Sequence, residues 1–126
     1  MKIEYRLEAL SECPSLRIYD FDNTEARQLR ELFIQLAEGE NDWTSLHEID
    51  NIEAVDGCVV NMRVGAWDRG VKKFDESHKF EWILTEESWK DLAKIAEAFC
   101  EEDSEVNQEW LDKRGEVAVL IERHER

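Results

Sequence analysis

The chain has 126 residues, with 16 Lys and Arg against 31 Asp and Glu, so its formal net charge is −15. This length is typical of one domain, here 1–126, and a hydrophobic fraction of 42% is enough for a core, which argues against an intrinsically disordered chain. The acidic balance argues against nucleic-acid binding, because negative charge repels phosphates. The sequence lacks a run of ~18 apolar residues or a signal peptide, so we expect a cytoplasmic protein without a membrane span.

The first predicted elements are two strands. Polar and apolar residues alternate over residues 2–9, which is the pattern of a half-buried strand. A turn at Pro14 then leads to a second short strand over residues 16–21. The chain is therefore expected to begin with two strands joined by a turn.

Two amphipathic helices are predicted from apolar residues at helical spacing. The first presents an apolar face from Ala26 onward and stops at Gly39, because glycine is common just after a helix. The second follows Thr85, a typical N-cap, and its apolar face extends to Cys100. Acidic residues in the first turn of the second helix also suit the helix dipole.

The segments around these helices complete the predicted fold. Turn signals at 56–57 and 68–70 predict two hairpins, and so a three-stranded antiparallel meander. A helical turn is expected around Trp110, followed by a last strand within 116–125. The order ββαβββαβ predicts an α+β protein, with a mainly antiparallel sheet of about five to six strands and both helices on one face.

The turn before the first helix carries two aspartates. The stretch IYDFDNT, residues 18–24, resembles the first motif of haloacid-dehalogenase-type phosphatases, in which an apolar strand ends in D-x-D-x-T. The resemblance implies that Asp20 is a nucleophile, that Asp22 is a general acid and base, and that Mg²⁺ lies between carboxylates. Asp22 and Glu25 also fit a capping box that starts the helix. We favour the capping box, which requires no cofactor.

Other potentially reactive side chains are scattered along the sequence. The cysteines lack C-x-x-C spacing and are expected to be reduced packing residues. The histidines lack metal-ligand spacing, so no metal site is predicted. A basic cluster near the second hairpin is expected to protect a sheet edge. These residues are Cys13, Cys58 and Cys100; His47, His78 and His124; and Arg69, Lys72, Lys73 and Lys79.

The negative charge is concentrated in two segments. Residues 38–56 hold seven acids and no Lys or Arg, and residues 86–112 hold ten acids and two lysines. The remaining residues carry 14 acids and 14 bases, so all of the net charge lies in these segments. Several of the acids crowd the C-terminal end of the second helix, where they oppose the helix dipole. Because these acids destabilise the end of the helix, we suspect that they have a role in binding.

This pattern predicts an interaction module that binds a basic protein, as an inhibitor, an immunity protein or a protein that masks a nucleic-acid-binding surface. Acids of both segments are expected to form one continuous patch. The predicted contact residues are Glu40, Asp42, Glu97, Glu101, Glu102, Asp103, Glu105, Glu109 and Asp112. The Mg²⁺-dependent phosphatase and a homodimeric subunit are the alternatives.

Overall fold

The computed structural model of the chain describes residues 1–6, 14–49, 52–74, 78–101 and 106–123. Within these ranges it contains two α-helices, one 3-10 helix and nine strands. The helices are α1 (Asn23–Ala37), the 3-10 helix Leu46–Glu48 and α2 (Glu86–Glu97). The strands are β1 (Lys2–Arg6), β2 (Ser15–Tyr19), β3 (Trp43–Ser45), β4 (Glu53–Ala54), β5 (Val59–Val64), β6 (Gly70–Phe74), β7 (Lys79–Leu84), β8 (Gln108–Asp112) and β9 (Ala118–Glu122).

The strands form two mixed sheets. Sheet A has the order β4-β1-β2-β9-β8, and sheet B has the order β3-β5-β7-β6. In sheet A, β1 is antiparallel to β2 and parallel to β4, while β9 is parallel to β2 and antiparallel to β8. In sheet B, β5 and β7 are parallel and the outer strands are antiparallel to them. The α+β class is confirmed, but two mixed sheets of five and four strands replace the single, mainly antiparallel sheet that was predicted.

Helix α1 begins and ends where the sequence predicts. The Asp22 carboxylate accepts a 2.8 Å hydrogen bond from the Glu25 backbone N–H, and the Glu25 carboxylate accepts one of 3.1 Å from the Asp22 N–H. These reciprocal bonds confirm the capping box. After the helix, Gly39 adopts a φ of 77°, which glycine allows without the steric penalty of a side chain.

Helix α2 and the core also agree with the predicted apolar faces. The Thr85 hydroxyl accepts a 3.3 Å hydrogen bond from the Ser88 N–H, which confirms Thr85 as the N-cap. The Trp82 ring of β7 packs edge-on against Trp89 of α2 and Phe33 of α1, with centroid distances of 5.1 and 5.8 Å. One buried cluster includes residues of both helices and both sheets. Neither helix of the described ranges has the length and apolar character needed to cross a membrane.

The predicted meander is wrong, because neither turn signal closes a hairpin. After the first turn the chain leaves β4 in sheet A and enters β5 in sheet B. After β5, the loop 65–69 crosses the end of β7, where the Arg69 N–H donates to the Ile83 carbonyl at 2.9 Å. The Asp68 carboxylate accepts a 2.9 Å hydrogen bond from the Thr85 N–H. These contacts hold the loop against the start of α2, and β7 inserts between β5 and β6.

The helical turn predicted around Trp110 is also wrong, since this segment is strand β8. The register of β8 against β9 shifts between Trp110 and Asp112, which is a β-bulge. After β8, Gly115 lies against the start of β6, and Val117 forms an isolated antiparallel bridge with Val71 of β6. A Cβ atom at Gly115 would lie 2.4 Å from the Val71 backbone N and O atoms, so this position requires glycine.

Candidate interaction surface

The two parts of the predicted acidic patch lie at opposite ends of the helix pair. At one end, a Cβ built on Gly39 would lie 3.1 Å from the Glu86 carboxylate, so the segment holding Glu40 and Asp42 follows α1 close to the start of α2. Glu101 lies beyond the other end of α2. The twelve residues of α2 span about 18 Å. The described acids therefore do not form the single continuous patch that was predicted.

The acids at the end of α2 face basic residues of α1. Glu97 and Glu101 line a surface depression together with Arg27 and Arg30. These arginines, together with Lys94 in the last turn of α2, place positive charge near the acids. Nearby positive charge therefore reduces the unfavourable effect of these acids on the helix dipole.

The remaining residues of the predicted patch have different environments. Asp112 is only 3% exposed, so its assignment to an exposed acidic surface is wrong. Its carboxylate accepts a 2.7 Å hydrogen bond from the indole N–H of Trp82 and one of 2.8 Å from the Arg114 backbone N–H. Glu109 is exposed on β8. The other members of the predicted patch lie outside the described residues: Glu102, Asp103 and Glu105.

The aspartates of the DFDNT turn have structural contacts. Asp22 caps α1, as described above, and the Asp20 carboxylate lies 3.4 Å from the Lys2 ammonium. Asp20 has a φ of 52°, a left-handed conformation that aspartate tolerates better than most residues. Across the described ranges, no group of three or more His, Cys, Asp or Glu side chains is arranged to hold a metal ion. The turn therefore provides no observation in favour of the phosphatase.

The other chemical candidates also have structural roles or lie at the surface. Cys58 and Cys100 are free and buried, and burial raises the pKa of the Cys58 thiol to about 12, which keeps it protonated. His47 and His78 are exposed, whereas Cys13 and His124 are outside the described residues. In the basic cluster, Lys72 is exposed on β6, an edge strand of sheet B, as expected for a residue that protects an edge.

Three of the five tryptophans are exposed, and their rings differ in what covers them. Trp67 is 60% exposed with the Arg69 guanidinium 5.0 Å from its ring centroid, and Trp110 is 42% exposed with the Lys113 ammonium at 5.4 Å. Trp43 is 56% exposed. In the part of the chain that the structure describes, no Lys or Arg lies over the Trp43 ring. Trp43 is therefore an exposed aromatic ring whose cation-binding face is unoccupied.

Among the described residues, Trp43 contributes to the lining of two depressions. The first has a volume of about 440 Å³ and lies toward β5 and β7, where it is lined by Asp42, Arg63 and Glu81. The second has a volume of about 420 Å³ and lies toward α1, where Glu48 is its charged residue. In the first depression, the Arg63 guanidinium lies 3.6 Å from the Glu81 carboxylate, so Glu81 offsets the positive charge of Arg63. Each depression retains a net negative charge.

The local fold explains why Trp43 remains exposed. It is the first residue of β3, which lies at the edge of sheet B and has three residues. Its neighbour Thr44 points to the opposite face and is buried. The sequence analysis did not select Trp43, because a three-residue strand is too short for a clear alternation. A useful signal was nevertheless present, since this large aromatic residue lies within the acidic segment 38–56.

Comparison of the chain with protein-family models, with curated proteins and with solved structures finds no match. The candidate surface is therefore defined by its own geometry: an exposed tryptophan on an edge strand, with carboxylates on both sides.

Proposed function

We propose that the protein is an interaction module that binds a basic segment of another protein at Trp43. The observation that carries this proposal is the contrast between Trp43, over whose ring no described residue places a cation, and the two other exposed tryptophans, which have one from their own chain. In this proposal the partner supplies the missing cation. The binding region replaces the acidic patch expected from the sequence and retains Asp42, with Glu40 exposed nearby.

Electrostatic and aromatic interactions act together at this surface. A cation over an exposed tryptophan ring contributes about 0.5–1 kcal/mol, and more when water is excluded. An exposed ion pair contributes ~0–1 kcal/mol, so carboxylates alone would bind weakly. The net charge of −15 would accelerate the encounter with a basic partner, since long-range attraction raises association rates at low salt. Charge steers the partner in this scheme, and Trp43 provides the specific contact.

The proposal is tested by calorimetric titration of the protein with a short Gly/Ser peptide that contains arginines. We expect saturable binding by the wild-type protein and an affinity about tenfold lower for Trp43→Ala, a loss of ~1.4 kcal/mol. Trp67→Ala is the matched control, because it removes an equally exposed ring whose cation comes from its own chain. Its affinity should equal that of the wild type. Equal losses in both variants, or no binding by the wild type, would refute the proposal.

A further inference from the structure

The surface around Trp43 has two separate acidic depressions, and this number suggests how many cations a partner presents. The depression toward β5 and β7 contains two carboxylates and one guanidinium, from Asp42, Glu81 and Arg63, which leaves a charge of −1. The depression toward α1 contains the carboxylate of Glu48, which again leaves −1. Each depression could therefore be neutralised by one cation.

The polar groups next to Glu48 do not neutralise it. The Asn41 amide donates a 2.9 Å hydrogen bond to the Gln35 side-chain carbonyl, and both residues line the same depression. Both amides are neutral, so this hydrogen bond does not offset the charge of Glu48. Within the described ranges, the Glu48 carboxylate has no ion-pair partner. Its charge remains available on the α1 side of Trp43.

We infer that the basic segment carries two cationic side chains at positions i and i+2 of an extended stretch, which straddle the Trp43 ring and enter one depression each. This inference rests on the proposed function and specifies the chemistry of its partner. In an extended chain, side chains at i and i+2 project from the same side and are ~6.8 Å apart. Side chains at i and i+1 project to opposite sides, so an adjacent pair would present only one cation to this surface.

The test compares Gly/Ser peptides with arginines at i and i+2, with adjacent arginines, and with a single arginine. We expect the i, i+2 peptide to bind about threefold more tightly than either other peptide, which is the effect expected from one additional exposed ion pair. Glu48→Gln should remove this advantage and leave the single-arginine affinity nearly unchanged, because that cation can still occupy the other depression. Glu53→Gln provides the matched control, since it deletes the same charge from an exposed position on β4 in the other sheet.

The outcomes separate the inference from the proposed function. Equal affinities for the single-arginine and i, i+2 peptides would overturn the inference while leaving a basic-segment site at Trp43. Equal affinities for the two diarginine peptides, or equal effects of Glu48→Gln and Glu53→Gln, would likewise overturn it, because overall charge would explain the data. Failure of every peptide to bind would overturn both the inference and the proposed function.

Discussion

Trp43 and Trp67 are similarly exposed, at 56% and 60%, but they differ in how the fold uses the groups around them. Arg69 lies over the Trp67 ring, and the neighbouring Asp68 carboxylate accepts hydrogen bonds from Thr85, the N-cap of α2, and from Ser88 of α2. Around Trp43, the Asp42 carboxylate makes no hydrogen bond or ion pair with any described residue. Around Trp67 the ring and the Asp68 carboxylate thus have partners from their own chain, whereas the Trp43 ring and the Asp42 and Glu48 carboxylates have none among the described residues.

The comparison shows that exposure of an aromatic residue does not by itself identify a binding site. Isolated apolar residues are common on protein surfaces. What distinguishes Trp43 is the combination of exposure, carboxylates in both adjoining depressions and the absence, among the described residues, of a Lys or Arg over its ring. Asp42 and Asp68 differ in the same way, because only the Asp68 carboxylate has hydrogen-bond partners among the described residues. We therefore expect mutation of Asp68 to affect stability and mutation of Asp42 to affect binding.

The largest effect is expected for Asp68→Ala. The Asp68 carboxylate accepts hydrogen bonds from the Thr85 N–H at 2.9 Å, the Thr85 hydroxyl at 3.0 Å and the Ser88 hydroxyl at 2.8 Å. Their loss should lower the free energy of unfolding by about 2–3 kcal/mol, as measured by urea denaturation. Asp42→Ala should change stability by less than ~0.5 kcal/mol and instead weaken peptide binding. If Asp42→Ala were the more destabilising variant, the contrast between the two regions would be wrong.

The stabilising effect of the Asp68 carboxylate should also depend on pH. Burial acts to raise the pKa of Asp68, but hydrogen bonds from Thr85 and Ser88 outweigh it and hold the pKa below its ordinary value of 3.8. Because the folded-state pKa is depressed, the stabilisation is fully present above the unfolded-state pKa and is lost as the pH falls through the folded-state value. The stability difference between wild type and Asp68→Asn should therefore shrink below about pH 4. A difference independent of pH would contradict this role of the carboxylate.

Much of the fold follows from sequence patterns, and the failures have identifiable causes. The caps and apolar faces of α1 and α2 are local signals, and both helices form, although α2 ends at Glu97 and its predicted apolar face extends to Cys100. The meander was wrong because turn residues at 68–70 cannot reveal that Asp68 binds the start of a distant helix. Strand β8 was missed because the bulge near Asp112 interrupts its alternation.

The candidate site was less predictable than the fold. Acidic composition identified Asp42 and Glu40 as surface residues, but it also selected Asp112, which is buried beside the Trp82 indole. Sequence spacing could not show that antiparallel helices separate Glu40 from Glu101. The combination at Trp43 depends on contacts between elements that are far apart in the sequence, and it becomes apparent only in the folded chain.

Arg63→Gln should increase the affinity of the Trp43 region for cations and so enlarge its difference from the Trp67 region. Arg63 lines the depression beside Trp43 and lies 3.6 Å from Glu81. Removing its positive charge eliminates repulsion and releases the Glu81 carboxylate. We expect affinity for the i, i+2 diarginine peptide to rise about threefold, a gain of ~0.6 kcal/mol. Weaker binding would mean that Arg63 itself contacts the partner.

The smallest effect is expected for Arg69→Ala. Loss of the guanidinium over Trp67 should lower the free energy of unfolding by about 0.5 kcal/mol, because an exposed cation–π contact is weak. It should also alter the fluorescence of Trp67. Affinity for the diarginine peptide should stay the same, since this side chain does not line either depression beside Trp43. A large loss of affinity would extend the binding surface to the Trp67 region.

The most direct test is an NMR titration that follows the indole N–H signals of the five tryptophans while the i, i+2 diarginine peptide is added. Trp43→Phe and Trp67→Phe spectra assign the two relevant signals. We predict that the Trp43 signal shifts progressively and saturates, while the Trp67 signal remains in place because its ring already carries Arg69. Equal shifts of both signals, or a saturating shift of Trp67 alone, would contradict the claim that the partner supplies the cation missing from Trp43.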